Sequence, residues 1–298
     1  MRALLVILAA VLSGCAHARP KVDPNLKEGS LESGGRTRTY AWWGPGKHGA
    51  PLVLALHGRG GDGKGMERLS GFTAIARREG FTVVFPDGVG DSWHDGRDEG
   101  PAAEQGVDDV AFLTALIDDF VARGSDPRRV FVTGMSNGAF MTVTLVCRAA
   151  DKLAGAVAVA GDLSTKLSKD CAPSRPVPLA LIMGTKDPLV PFAGGQVARR
   201  NGEILSADAS ARFFATRFGC EAEPVVEWLP DTAPDDGTRT SRLRWSGCQG
   251  GVHVELYAVE NGGHTWPSGW QYLPESWIGK TAKDFSASEE AWRFFSAH

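Results

Sequence analysis

The chain has 298 residues, 43% of them hydrophobic and 22% charged, which suits one large α/β domain or two smaller ones with a sizeable core. Its 32 Lys and Arg against 35 Asp and Glu give a formal net charge of −3, and no dense basic run occurs. Charge therefore offers no ground for a nucleic-acid partner.

The N-terminal stretch MRALLVILAAVLSGC carries a basic Arg2, then an apolar run too short to span a bilayer, then small residues before Cys15. This is the layout of a secretory signal, and Leu12-Ser13-Gly14-Cys15 matches a bacterial lipobox, in which the cysteine is acylated and becomes the first mature residue. The expectation is a signal peptide over residues 1–14, a lipidated cysteine with a flexible Pro-, Gly- and Ser-rich tether over 15–36, and one folded domain over 37–298. The protein is then exported and held on a membrane in the periplasm or at the cell surface, with extracellular release as the alternative.

Beyond the tether, short apolar runs alternate with amphipathic stretches. PLVLALH, FTVVFPDG, RVFVTGMS, LAGAVAVAG and VPLALIMGTKD read as strands; MERLSGFTAIARREG, VDDVAFLTALIDDFVARG and NGAFMTVTLVCRAA read as helices. Val110, Leu113, Ile117 and Phe120 share one helical face. This alternation predicts a mainly parallel, doubly wound sheet with helices on both faces. Later come a helix at ADASARFFATRFG, strand-like segments near PVVEWL, SRLRWSG and VHVELYAV, and a last helix capped by Ser286 or Ser288.

With Cys15 lipidated, Cys147, Cys171, Cys220 and Cys248 remain, an even number in an exported chain. Three disulfide pairings are open. The sequential one, Cys147–Cys171 and Cys220–Cys248, closes the shortest loops and is expected, and the absence of a CxxC spacing argues against a structural zinc site.

The loop LHGRGGDGKGM admits two readings. Gly58, Gly60 and Gly63 fit a dinucleotide fingerprint with Asp87 as the ribose acid, and Gly58 to Lys64 is a near-miss phosphate loop with Gly65 where a hydroxyl belongs. The other reading is that the glycines expose backbone N–H groups to an oxyanion. Gly134-Met135-Ser136-Asn137-Gly138 decides between them, because it places a serine at a strand-to-helix turn between glycines. Such a serine needs a histidine to take its proton and a carboxylate to orient that histidine. Asp187 and His264 follow later strands in the order this arrangement requires. The oxyanion donors are then the N–H of Asn137 and that of Arg59, with Gly60 as runner-up. A nucleotide site would leave Ser136, Asp187 and His264 as coincidences.

Together with LHGRGG, SWHDGR, VDDVAFLTALID, GTKDPLVPF and GGHTWPSGWQYLPESWIGKT, these residues resemble bacterial secreted or lipid-anchored esterases of the polyhydroxybutyrate depolymerase and feruloyl esterase group, from about Arg38 to Phe295. The resemblance implies an α/β-hydrolase fold, ester hydrolysis through an acyl-enzyme, Ser136, Asp187 and His264 as triad, and no metal or organic cofactor. It suggests Trp93 and Trp266 as flanks of the acyl pocket, and His57 joins them as a substrate-contact candidate. The implied substrates are small esters, polyester oligomers or feruloylated saccharides, with no nucleotide involved. Polymer depolymerases of the group often carry an extra substrate-binding module, and no segment here is long enough to be one. A peptidase of the same fold and a non-catalytic carbohydrate-binding lipoprotein are the alternatives.

Overall fold

The computed structural model describes residues 19–298. Cys15 and the expected signal peptide lie outside the described residues. Strands β1 (Lys27–Ser33) and β2 (Arg36–Trp43) form a hairpin and lead into β3 (Ala50–Leu56). Helices α1 (Gly63–Ser70) and α2 (Phe72–Glu79) precede β4 (Thr82–Pro86), and α3 (Pro101–Glu104) and α4 (Asp109–Ala122) precede β5 (Ser125–Met135). Next come α5 (Asn137–Arg148), β6 (Gly155–Val159), β7 (Leu179–Gly184) and the two-residue strands β8 (Gly195–Gln196) and β9 (Glu203–Ile204). The chain closes with α6 (Ala207–Arg217), β10 (Val225–Trp228), β11 (Arg239–Trp245), β12 (Val254–Glu260), α7 (Glu275–Ile278) and α8 (Ala287–Ser296).

Ten strands make one sheet in the order β1-β2-β4-β3-β5-β6-β7-β12-β11-β10. The six from β4 to β12 pair in parallel, and antiparallel strands flank them at both ends. The parallel centre follows from composition: β3, β4, β6 and β7 are buried along their whole length, as strands covered on both faces must be. Within β3, Leu52, Leu54 and Leu56 join the core under α4, α5 and α6, while Val53 and Ala55 join the core under α1, α2 and α8. The expected doubly wound architecture is thus observed, and it is that of the α/β-hydrolase fold.

Three local expectations are refined. The amphipathic stretch after β3 is two helices, broken at Gly71, which takes the left-handed conformation (φ 63°). Ser286 is the residue that caps α8, accepting from the Glu289 N–H, whereas Ser288 is buried. The disulfides pair sequentially, Cys147–Cys171 and Cys220–Cys248.

The tether expected to run through residue 36 ends earlier. Residues 27–33 pair with β2 in a seven-pair register closed by Gly34 and Gly35, both at positive φ (59° and 72°). A two-residue turn of that geometry matches the right-handed twist of paired strands, so the Gly-Gly is a hairpin signal and not linker composition.

Candidate active site

The carboxyl ends of β5, β7 and β12 bring Ser136, Asp187 and His264 to one side of the sheet. Ser136 stands between β5 and α5 at φ 56° and ψ −118°, a conformation that costs a non-glycine residue about 1–3 kcal/mol. Its neighbours have no room for side chains. A Cβ on Gly134 would lie 2.4 Å from the Gly138 carbonyl oxygen, and one on Gly138 would lie 2.3 Å from that of Leu56. The glycines therefore let strand and helix close tightly enough to lift the serine out of the sheet. The Ser136 N–H donates to the Val159 carbonyl at 2.9 Å, which ties the turn to β6.

Asp187 is buried after β7. Its Oδ1 accepts from the Leu189 and Val190 N–H groups, each at 2.8 Å, and its Oδ2 lies 2.7 Å from His264 Nδ1. A carboxylate can only accept, so Nδ1 carries the proton and Nε2 is left as a base. The imidazole is fixed further by main-chain bonds: the His264 N–H donates to the Ile278 carbonyl, and the Tyr272 hydroxyl donates to the His264 carbonyl at 3.0 Å. Ser136, Asn137 and His264 line one cleft of about 550 Å³, together with His57, Arg59 and Gly60.

The two oxyanion-donor candidates of the glycine loop separate here. The Gly60 N–H donates to the Asp91 carbonyl at 2.7 Å and is not available, which corrects its place as runner-up. The Arg59 N–H meets no such acceptor among the described residues. Asn137 opens α5, where backbone N–H groups lack helical partners. Its side chain clasps the Trp93 backbone from both sides, accepting from the N–H at 2.7 Å and donating to the carbonyl at 3.0 Å.

Gly63 and Asp87 have a structural explanation. Asp87 accepts from Gly63 N–H at 2.8 Å and from the Thr39 hydroxyl at 2.6 Å, and a Cβ on Gly63 would lie 2.2 Å from the Phe85 carbonyl oxygen. They pack α1 against β4.

His57 lines the cleft, but both ring nitrogens are engaged. Nε2 accepts from the Gly88 N–H at 2.9 Å, which leaves the proton on Nδ1 to donate to the Gly58 carbonyl at 2.8 Å. Burial lowers its pKa and keeps it neutral. The structure corrects the two tryptophans. Trp93 and Trp266 are buried, outside the cleft lining, with their indole N–H groups donated to the His57 carbonyl and the Ser288 hydroxyl, each at 2.9 Å. Their aromatic surface packs the core under the loops and does not face the cleft.

A polar cluster was missed by the sequence reading. Asp95 is buried and accepts from the Asn137 side chain at 2.6 Å and from Arg97, whose Nη1 donates to the Asn201 carbonyl at 3.0 Å. The available signal is the charged SWHDGR segment, which carries both Asp95 and Arg97.

Residues 44–205 match the family model described as Phospholipase/Carboxylesterase, a span that includes Ser136 and Asp187. NocK of Nocardia uniformis subsp. tsuyamanensis, a protein named as an esterase, is 32% identical over 92% of this chain and 83% of its own. Feruloyl esterase B of Piromyces equi is 28% identical over 77% of this chain but only 43% of that protein, so the chain spans less than half of it. The acetyl xylan esterase structure from Aspergillus awamori superposes with a TM-score of 0.53 at 15% identity, covering 80% of this chain and 94% of that one, a likeness of fold.

Proposed function

We infer the reaction from the premise that this chain belongs to the phospholipase/carboxylesterase family and is a carboxylic-ester hydrolase. The catalytic machinery is Ser136, His264 and Asp187. Ser136 Oγ attacks the ester carbonyl while His264 Nε2 takes its proton; the tetrahedral intermediate collapses, the C–O bond to the alcohol breaks, and His264 returns the proton to the leaving oxygen. Water then attacks the acyl-enzyme by the same route and releases the acid. The Asn137 and Arg59 N–H groups stabilise the oxyanion in both steps. Carrying this reading is the bonded His264–Asp187 pair in the same cleft as a serine held at positive φ.

The test is the initial rate of the chain from Ala16 to His298 on a 3-hydroxybutyrate trimer and on methyl ferulate. Ser136→Ala should lower kcat/KM by about 10⁴ or more with an unchanged far-UV spectrum. A Ser136→Ala protein with wild-type rates would end the assignment. Preference for the trimer indicates polyester-oligomer substrates, and preference for the ferulate indicates feruloylated saccharides.

The chain is read as an exported lipoprotein with residues 1–14 as signal, Cys15 as anchor, a tether from residue 16 to the start of β1, and the folded body thereafter. Cys15→Ser should move the full-length protein from the membrane pellet to the soluble fraction of cells; an unchanged pellet would remove the anchor.

A further inference from the structure

The cleft around Ser136 differs in charge from the chain that forms it. Acidic residues outnumber basic ones 35 to 32 overall. The cleft, by contrast, is lined by Arg19, Arg59, Arg68, Arg97 and Arg199 and, among the described residues, by no carboxylate.

These arginines are not equivalent. Arg97 is neutralised in place: its guanidinium is bidentate on Asp95, with a closest approach of 2.5 Å, and stacks 3.8 Å from the Phe140 ring centroid. Arg59 has neutral acceptors only, the Asn201 side-chain oxygen at 2.6 Å and the Glu99 carbonyl at 3.0 Å. Both guanidiniums thus converge on Asn201. Burial first, and the like charge of Arg97 second, hold the Arg59 guanidinium below its ordinary pKa. Arg68 and Arg199 have no ion pair among the described residues. Met66, Leu69, Leu189 and Val190 give the same cleft an apolar wall. Arg59, whose direct acceptors are neutral, holds its guanidinium one side-chain length from the proposed oxyanion donor, and with Arg68, Arg199 and the apolar wall it forms a cleft complementary to an anion on a short hydrocarbon arm.

We propose that the cleft selects esters that carry an ionised carboxylate joined to the scissile carbonyl by a short apolar chain, with Arg59 as its main partner and Arg68 and Arg199 adding to the field. This rests on the hydrolase reading of Ser136 and adds a substrate class to it. A cationic wall that served only the reacting oxyanion would speed neutral and anionic esters alike, so the ratio between them separates the two roles.

The experiment compares kcat/KM for the para-nitrophenyl monoester of adipic acid, which keeps a free carboxylate, with its methyl ester, which does not. The monoanion is expected to be preferred by about tenfold or more at low salt. That preference should fall toward unity in about 1 M NaCl, where the Debye length is about 3 Å. Arg59→Gln should collapse the ratio and Arg59→Lys should keep most of it. If Arg59→Gln disturbs folding, the Arg68→Gln/Arg199→Gln double variant should lower the ratio. A wild-type ratio within about twofold of unity, or a ratio indifferent to these substitutions and to salt, overturns the proposal while leaving the hydrolase reading intact. Titration of the Ser136→Ala chain with monomethyl and dimethyl adipate supplies the independent arm. If neither nitrophenyl ester is hydrolysed but the monoanion binds tenfold tighter, the hydrolase reading fails and the charge selection stands; equal binding ends the charge selection as well.

Discussion

At the ends of β7 and β6, two neighbouring strands, the chain buries one aspartate each and surrounds them differently. Asp187 receives two backbone N–H groups and the His264 ring. Asp162 is fully buried, and among the described residues neither of its oxygens receives a backbone N–H or an imidazole. Burial pushes the Asp162 carboxyl well above the ordinary carboxylate range; the Ser210 hydroxyl and Arg97 oppose the shift, and the Asp187 charge adds to it. Depth alone therefore does not make a working carboxylate. Three aimed donors equip Asp187 for the role we propose, and Asp162, two residues from the Ala160 turn, has no such set.

The comparison breaks most visibly in activity. Asp187→Asn should lower kcat by about 10⁴, because an amide nitrogen facing Nδ1 favours the His264 tautomer whose Nε2 cannot accept the Ser136 proton. Asp162→Asn should stay within a few-fold of wild type in the same initial-rate assay. Equal losses for the two variants would show that they act as one unit.

Stability gives a smaller effect, with a sign. A carboxyl whose folded-state pKa is raised stabilises the fold fully below the unfolded carboxylate value, and that contribution is lost as pH rises through the folded value. Asp162→Asn has no proton to lose, so relative to wild type its stability, read from denaturation midpoints, should gain as pH is raised from about 4 toward neutrality. A deficit that grows with pH would mean that Asp162 has a cationic or donor partner in solution.

How much of this was legible in the sequence depended on the kind of signal. Ser136, Asp187 and His264 each follow an apolar run, in the order along the chain that this fold gives a serine, an acid and a histidine, so the proposed trio could be named without coordinates. β1 could not: KEGSLES is largely exposed, and only its seven-pair register with β2 makes it a strand. The family resemblance suggests Trp93 and Trp266 as flanks of the cleft, but partners for their N–H groups lie inward. The choice between Arg59 and Gly60 turned on one hydrogen bond to Asp91, thirty-one residues on from Gly60, which no local pattern reveals. Asp95, Arg97 and Asn201 meet only after the loops fold over one another.

The positive φ of Ser136 sets heat tolerance against turnover. Glycine would occupy that backbone conformation without strain and remove the proposed nucleophile in the same stroke. Laboratory evolution rewarding thermal endurance alone would thus drift toward inactive survivors, and a screen for hardier versions of this enzyme must score hydrolysis in every round.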